Sequence, residues 1–412
     1  MTRDQAARDA AEAAARASYG RLLAWLALRW RDLAAAEDAL AEAFLAALHT
    51  WPRDGVPRSP EAWLMTAAKR NMLKRARHRR MARDPARQML LATPEEAPEP
   101  FDLPDERLRL MLVCAHPAIE PMLRPALMLQ AVLGVEAARI AGVFLVAPEA
   151  MAKRLGRAKA KIKAAGIRFE TPEARDLPAR LDAVLEAIYA AYALDGIHEA
   201  HPGAADLAAE AAFLAELVAS LSPGHPEALG LHALLLYCEA RRPARLDAAG
   251  RFVPLDRQDP ARWDAARLAR ADALLARAAL AQSPGRFQLE AAIQSAHCHR
   301  RHGGPTPWGD ILALYEGLLA LAPSTGARLA HAVALARASG DAAAGLARLD
   351  ALDPRPPDTH QSWWAVRAHL LEAAGHAAEA AEAYWAARRL TTSPAVLGYL
   401  DACLERLAAR GH

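Results

Sequence analysis

Two short segments of the chain carry a dense positive charge that could bind a polyanion. Residues 69–83 contain eight lysines and arginines and residues 153–168 contain seven, with no acidic residue in either segment. All six lysines of the protein lie in these two segments. Like charges at this density repel one another, and nucleic-acid phosphates would neutralise them with release of counterions. The two segments predict nucleic-acid binding, with a merely solvated helix face as the alternative for residues 69–83.

The charge is also divided between the two halves of the chain. Residues 1–168 hold 28 basic and 19 acidic residues, a net +9, whereas residues 169–412 hold 23 basic and 29 acidic residues, a net −6. A basic half joined to an acidic half suggests a polyanion-binding unit with a partner-binding or regulatory unit attached.

A hydrolase or metal enzyme is the main alternative class, and the sequence supports it weakly. The densest group of metal-ligand types is His297-Cys298-His299 with His302, but residues i and i+2 of a helix point to different faces. The four cysteines include no CxxC pair. No GxxxxGK[ST], HExxH or GxSxG motif occurs. We predict no catalytic residue, no metal and no cofactor.

The sequence also predicts a cytoplasmic protein without a membrane partner. No apolar run approaches the ~18–20 residues that span a bilayer. The first 16 residues mix acids with bases and have no apolar signal core.

Helices must position the basic segments, because an alanine-rich chain with only 8 isoleucines and 12 valines is poorly suited to a β-sheet. Apolar spacing predicts two helices over 16–50, with Asp32 as the N-cap of the second. The apolar stripe of that second helix consists of Leu33, Leu40, Phe44 and Leu48.

The first basic segment is predicted to end a third helix. Two prolines and a glycine predict that residues 51–57 are not helical. Ser59-Pro60-Glu61 then supplies a cap, a proline at the first helical position and an early acid. The helix that follows carries Trp63 and Leu64 on its apolar side.

The second basic segment follows a predicted helix-turn-helix. A short helix from Val135 is followed by a turn near Gly142–Val146 and a second helix that begins at Pro148. In a helix-turn-helix the second helix lies in the DNA major groove. The alternative is an ordinary helical hairpin, which is common in all-α proteins.

These elements predict an all-α protein with four parts. Residues 1–82 form a small helical domain, the proline- and acid-rich residues 83–106 a flexible linker, and residues 107–170 the helix-turn-helix domain. Residues 177–412 form a helical domain, in which 364–375 and 378–387 resemble a tetratricopeptide unit. An ordinary helical bundle is the alternative for this last domain.

Three long phrases resemble the extracytoplasmic-function (ECF) class of RNA polymerase sigma factors. They are AEDALAEAFLAALHTWPRDGVPRSPEAWL at 36–64, LPDERLRLMLVCAHPAIEP at 103–121 and FLVAPEAMAKRLGRAKAKIKAAGIRF at 144–169. The phrases at 226–259 and 285–300 are similar to the long tetratricopeptide-like extension of one ECF subgroup. The resemblance covers nearly the whole chain.

The resemblance implies that the first domain binds the β′ clamp of core RNA polymerase and captures the melted −10 strand of a promoter. The candidates for the clamp, all in helix 33–50, are Asp38, Glu42, Phe44 and Leu45. The −10 strand would meet the loop 53–58 and the helix 63–80, where the candidates are Arg53, Asp54, Trp63, Lys69, Arg70, Asn71, Lys74, Arg75 and Arg77. Core packing is the alternative for Phe44 and Trp63.

The resemblance implies that the second domain binds the −35 element, close to the β flap of the polymerase. Candidates at the start of the second helix, where side chains reach base edges, are Glu149, Ala150, Met151, Lys153 and Arg154. Candidates further along, for phosphates, are Arg157, Lys159 and Lys161. Glu149 has the alternative role of an acid favoured by the helix dipole.

The predicted function is that of an alternative sigma factor, which directs core polymerase to a small set of promoters and is regulated by its own acidic C-terminal domain. The alternative is a helical-repeat scaffold or DNA-binding regulator that does not bind core polymerase. Both functions are compatible with a protein partner of the C-terminal domain.

Overall fold

A computed structural model describes residues 3–81, 105–144, 146–165, 167, 176–197, 205–353 and 355–410. Apart from its last two residues, the predicted linker 83–106 lies outside the described residues. Within the described ranges the regular elements are helices, and the sole β-type pairing is an isolated bridge between Leu246 and Phe252. The all-α prediction is confirmed.

The helices of the N-terminal half are α1 (Arg3–Trp30), α2 (Leu33–Asp54), α3 (Pro60–Met81), α4 (Glu106–Cys114), α5 (Arg124–Ala131), α6 (Ala137–Val143), α7 (Pro148–Ala164) and α8 (Leu177–Ile197). Those that follow are α9 (Ala205–Leu221), α10 (Pro226–Arg241), α11 (Ala265–Ala279), α12 (Arg286–Cys298), α13 (Trp308–Leu321), α14 (Thr325–Ser339), α15 (Ala342–Asp350), α16 (Gln361–Ala373), α17 (Ala377–Arg389) and α18 (Pro394–Arg410).

Side-chain caps begin α2 and α3 where the sequence predicts them. Asp32 Oδ1 accepts a hydrogen bond from the Ala35 N–H at 3.0 Å. Ser59 Oγ accepts one from the Ala62 N–H at 3.4 Å, and Pro60 occupies the first position of α3. Each cap satisfies a backbone donor that the helix itself leaves unpaired.

Replacement of Asp32 by alanine is expected to destabilise the N-terminal helices by about 1 kcal/mol, because the Ala35 N–H loses its acceptor. Urea denaturation followed by the tryptophan fluorescence of α1–α3 measures the change. Asp32→Ser keeps an acceptor and is expected to recover most of the loss. Equal destabilisation by both variants would contradict the capping role.

The prediction that residues 51–57 are non-helical is wrong for residues 51–54. Helix α2 continues through Pro52 and ends at Asp54. A proline this close to the C-terminus disturbs only the last turn. That turn is retained because the Trp51 indole is buried and because the Gly55 N–H bonds to the Trp51 carbonyl at 3.0 Å. Gly55, with φ of 89°, then ends the helix.

Helices α1, α2 and α3 pack around one apolar core. Helix α2 contacts both α1 and α3. The residues of this core include Leu22, Leu26, Leu40 and Leu64, all fully buried. The core places the basic end of α3 and the acidic face of α2 on one small domain.

Helices α4 to α7 lie at the positions of the predicted helix-turn-helix domain. Helix α6 packs against α7, and residues 144–147 connect them. Gly134 precedes α6 with φ of 66°, a left-handed conformation that glycine adopts without strain. Leu127, Ile140 and Leu155 form part of the buried side of this unit.

The described residues divide into two compact units, one within Met1–Gly196 and Gly203–Ala211 and the other within Ile197–Pro202 and Ala212–His412. The second unit contains consecutive helix pairs, among them α14 with α15 and α16 with α17. Gly340 and Gly375 have φ values of 71° and 84° and make the turns inside these pairs. Helices α16 and α17 lie at the position of the predicted tetratricopeptide unit, and the assignment of this domain to the tetratricopeptide class stays a prediction.

Candidate polymerase and nucleic-acid interface

One face of α2 exposes apolar side chains beside two acids. The side chain of Leu45 is 58% exposed and that of Leu48 is 40% exposed. Glu42 and Asp38 are exposed one and two turns before Leu45, on the same side of the helix. Exposed leucines in a row, flanked by charge, are typical of a protein contact surface.

The candidate clamp residues are not equivalent in this structure. Leu45 is exposed, whereas Phe44 is half-buried. The apolar stripe of α2 predicts that Leu48 is buried. This prediction is wrong, because at Leu48 the stripe faces solvent and no longer the core. The spacing of three residues from Leu45 is the signal that could have identified Leu48 as a surface residue.

Arg75 of α3 joins the two candidate surfaces. Its guanidinium donates to Asp38 Oδ2 at 2.7 Å and to Glu42 Oε1 at 2.6 Å. These two hydrogen bonds raise the pKa of Arg75. Because both carboxylates are largely exposed, the ion pairs contribute little to stability and can exchange for external partners.

A cavity of about 410 Å³ lies on α3, next to the end of α2. Its lining includes Trp63, Thr66 and Arg70. The Trp63 ring packs edge-on against buried Trp51, with 5.6 Å between the ring centroids. An aromatic wall with a cation and a hydroxyl at its rim can hold a base that has left the helical stack. Thr66 is a lining residue that the sequence pattern did not indicate.

Asn71 and Lys69, both predicted to contact the −10 strand, have partners on other helices of the N-terminal domain. Asn71 Nδ2 donates to the Ala39 carbonyl of α2 at 3.1 Å, so its side chain ties α3 to α2. Lys69 Nζ lies 4.1 Å from the centroid of the Trp25 ring, a cation–π contact.

The other candidates for the −10 strand lie on the surface. Arg53 and Asp54 are exposed in the last turn of α2, where Arg53 Nε donates to the His49 carbonyl at 3.1 Å. On α3, Arg70, Lys74 and Arg77 are exposed.

Helix α7 presents most of its predicted DNA contacts to solvent. Its exposed candidates are Glu149, Lys153, Arg154, Arg157 and Lys161. Ala150 is half-buried, and Met151 is buried in the core of its own unit. The exposed cations follow helical spacing, so one side of α7 is positive along most of its length.

Lys159, the remaining candidate on α7, is held in an ion pair with Glu37 of α2. Its Nζ lies 2.7 Å from both carboxylate oxygens, and the side chains of Lys159 and Glu37 are only 14% and 18% exposed. Desolvation raises the pKa of Glu37, and the lysine charge opposes that rise. Sequence reasoning missed Glu37, because its partner is 122 residues away.

The histidine and cysteine group of the metal alternative is spread over two elements. His297 and Cys298 end α12, while His299 and His302 lie in the short 3-10 helix after it. Burial lowers the pKa of His297 to about 4. In the described part of the chain, no three His, Cys, Asp or Glu side chains come together as metal ligands. Likewise, no described helix is long and apolar enough to cross a membrane.

Comparison with known proteins identifies the N-terminal domain. Sigma-70 region 2 matches residues 16–81, which comprise most of α1 and all of α2 and α3. A family of unknown function (DUF6596) matches residues 180–279. No solved structure matches the chain.

A relative matches the chain over nearly its whole length. It is "Uncharacterized protein R00370" of Rhizobium meliloti (strain 1021), which is 36% identical over 391 residues, covering 92% of each chain. The region 2 match identifies residues 16–81 as a sigma-70 region 2 domain, and the full-length match shows that the chain belongs to one family with the Rhizobium meliloti protein.

Proposed function

We propose that the protein is an alternative sigma factor of the ECF class that binds core RNA polymerase and directs it to promoters. The observation that carries this proposal lies within the sigma-70 region 2 match. There, the exposed leucines of α2 stand beside the basic α3 and its aromatic cavity. A protein-binding face and a strand-binding face on one small domain are what such a factor needs.

In the proposed complex the face of α2 around Leu45 binds the β′ clamp. Burial of the exposed leucine side chains at this interface would contribute hydrophobic free energy to binding. Asp38 and Glu42 accept hydrogen bonds from cations of the clamp, in exchange for those from Arg75. Charged residues at the rim of this interface would determine the orientation and the association rate of the complex more than its affinity.

The cavity beside Trp63 would receive a base of the melted −10 strand. Lys74 and Arg77, which are exposed on α3, would bind its phosphates, and Arg70 at the rim of the cavity would contact the base edge. Helix α7 would lie in the major groove of the −35 element with Lys153 and Arg154 toward the bases. Phosphate contacts fix position and base contacts select sequence.

The C-terminal helices would regulate these contacts as a tetratricopeptide-like domain. The net charge of −6 over residues 169–412, opposite to the +9 of residues 1–168, supports this part of the proposal. These opposite charges would attract the two parts of the chain to each other, most strongly at low ionic strength, where screening is weak.

Co-elution of the full chain with bacterial core RNA polymerase on a sizing column tests the proposal, followed by run-off transcription from genomic fragments. We expect a stable complex and a small set of discrete transcripts that core polymerase alone does not make. Salt-sensitive DNA binding without polymerase binding would instead support the DNA-binding regulator, and failure to bind either would overturn the sigma assignment.

A further inference from the structure

The connection between α10 and α11 lies across several later helices of the second compact unit. We call residues 245–258 of this connection the strap. The strap begins as a short hairpin, in which the Val253 N–H donates to the Arg245 carbonyl at 2.8 Å. Gly250, with φ of 74°, lies in its turn, and the Asp247 carboxylate accepts two backbone N–H groups there, each at 2.9 Å. The hairpin is therefore held by its own hydrogen bonds.

The hairpin of the strap packs against the first turns of α18. The Phe252 N–H donates to the Ala395 carbonyl at 3.0 Å. The Phe252 ring meets the Tyr399 ring edge-on, with 5.8 Å between the ring centroids. The Arg251 side chain lies against Gly398, where an added Cβ would be 2.9 Å from Arg251 Cγ. A connection between α10 and α11 thus reaches α18, far along the chain.

The second half of the strap contacts two arginines on other elements of the unit. Arg300, in the 3-10 helix after α12, donates to the carbonyls of Leu255 and Gln258 at 2.9 Å and 3.0 Å. Arg337 of α14 donates to Asp256 Oδ2 at 2.8 Å. The surface beneath the strap therefore offers guanidinium donors to backbone carbonyls and a cation to an acid. Hydrogen bonds of this kind, with a charged donor, are the stronger ones in proteins.

Helices α12 and α16 also belong to the surface that the strap covers. Burial lowers the pKa of His297 of α12 and of His369 of α16, and the nearby carboxylate of Asp256 opposes both shifts. Helices α12, α14 and α16 each pack against the helix that follows, and they are the first members of consecutive pairs. Stacked helix pairs present an extended surface for binding other molecules. The strap therefore lies where a stacked-helix protein has room for a ligand.

The strap contributes little to the core of the second unit. The apolar clusters that hold α14 to α18 together consist of residues within 329–407. Phe252 and Leu255 of the strap are only half-buried. The ion pair of Asp256 and Arg337 is partly exposed and adds little stability. The strap can therefore leave this surface while the helices stay packed.

The strap also fits the surface imperfectly at Gln258, its most deeply buried residue. The Nε2 atom of this side chain donates to the Val253 carbonyl at 3.2 Å. The Oε1 atom of the same amide has no hydrogen-bond partner among the described residues. A buried acceptor left unpaired is unfavourable, so a peptide without this amide would fit better at this point.

We infer that the strap is an internal ligand of a peptide-binding surface, and that a segment of a partner protein binds there by displacing it. The partner segment carries an aromatic residue with an acid four positions later, as Phe252 and Asp256 do. Its aromatic ring would meet Tyr399, its acid would pair with Arg337, and its backbone carbonyls would accept from Arg300. The inference stands on contacts within the second compact unit, so it neither requires the sigma assignment nor fails with it.

A labelled synthetic peptide with the sequence of residues 244–260 tests this inference by fluorescence anisotropy with the full-length protein. In the wild type the strap competes at an effective concentration of about 1 mM, so the peptide should bind weakly. Phe252→Ala with Asp256→Ala, the loosened variant, removes two side chains that hold the strap. It should bind the peptide at least about 10-fold more tightly than the wild type does. A peptide with the same two replacements should bind neither protein.

The matched control removes an aromatic ring and an ion-paired acid from helices away from the strap. It is Trp385→Ala with Asp350→Ala, on α17 and α15, where Asp350 pairs with Arg367. This control should bind the peptide as weakly as the wild type does.

A disulfide that locks the strap in place provides the opposite variant. In Arg251→Cys with Gly398→Cys the two Cβ atoms would lie 3.8 Å apart, a usual separation in a disulfide. Cys238→Ser removes the native cysteine that is not buried. The oxidised form should bind no peptide, and reduction should restore the weak binding of the wild type.

Circular dichroism and the unfolding midpoint show whether the helices stay packed without the contacts of the strap. Unfolding of the loosened variant would make the strap a structural brace and overturn the inference. A folded loosened variant that binds the peptide no better than the wild type would overturn it as well, and so would peptide binding by the oxidised locked variant. Tighter binding to the loosened variant, together with loss of binding in the oxidised locked one, would confirm it.

Discussion

Leu45→Glu is expected to weaken binding to core RNA polymerase by at least about 30-fold, a loss of about 2 kcal/mol that combines the lost burial of leucine with the desolvation of the new carboxylate. Leu45 is the most exposed of the apolar side chains on α2, so its removal leaves the packing of the helix intact. A carboxylate at this position would have to be desolvated without a partner when the clamp is bound. Fluorescence anisotropy of labelled protein titrated with core polymerase measures the dissociation constant.

The matched control for this substitution is Leu280→Glu, at the end of α11. Leu280 is 82% exposed and lies in the other compact unit, so the same change in polarity and charge is made away from α2. We expect wild-type affinity from the control and an unchanged unfolding midpoint from both variants. Equal affinities for Leu45→Glu and the wild type would show that this face of α2 does not bind the polymerase.

Replacing four exposed cations of α7 by glutamine is expected to reduce the affinity for promoter DNA by about three orders of magnitude near 0.1 M salt. The four residues are Lys153, Arg154, Arg157 and Lys161. Arg157 and Lys161 are the proposed phosphate contacts among them, and each contributes about 0.9 to the slope of log affinity against log salt, so the slope should fall by about 1.8. Titrations of a fluorescent duplex at several salt concentrations measure both quantities.

A control with the same change in net charge separates a local DNA contact from a general electrostatic effect. Four exposed arginines of the second unit, also replaced by glutamine, provide it: Arg251, Arg267, Arg270 and Arg277. The control should leave the salt slope unchanged. If both quadruple variants lost affinity equally, the positive charge of the whole chain, rather than α7, would account for DNA binding.

The amino-acid sequence by itself determined the local structure of the chain. Asp32 and Ser59 cap helices because a short polar side chain can reach a backbone N–H three residues on, which needs nothing from the rest of the fold. Apolar periodicity likewise predicted the helices of the N-terminal half. The run of cations in 153–168 makes one side of α7 positive, whichever helices α7 packs against. These signals act within one or two helical turns.

The tertiary structure decided which of these residues face solvent and which have partners. Asn71 bonds to Ala39 across 32 residues and Lys159 pairs with Glu37 across 122, distances in sequence over which no local pattern can specify a contact. Pro52 remains helical because the burial of Trp51 outweighs the loss of one hydrogen bond in the last turn. Gly20 looks like a weak point of α1 in the sequence, and only the packed structure shows that it is the place where another backbone must fit.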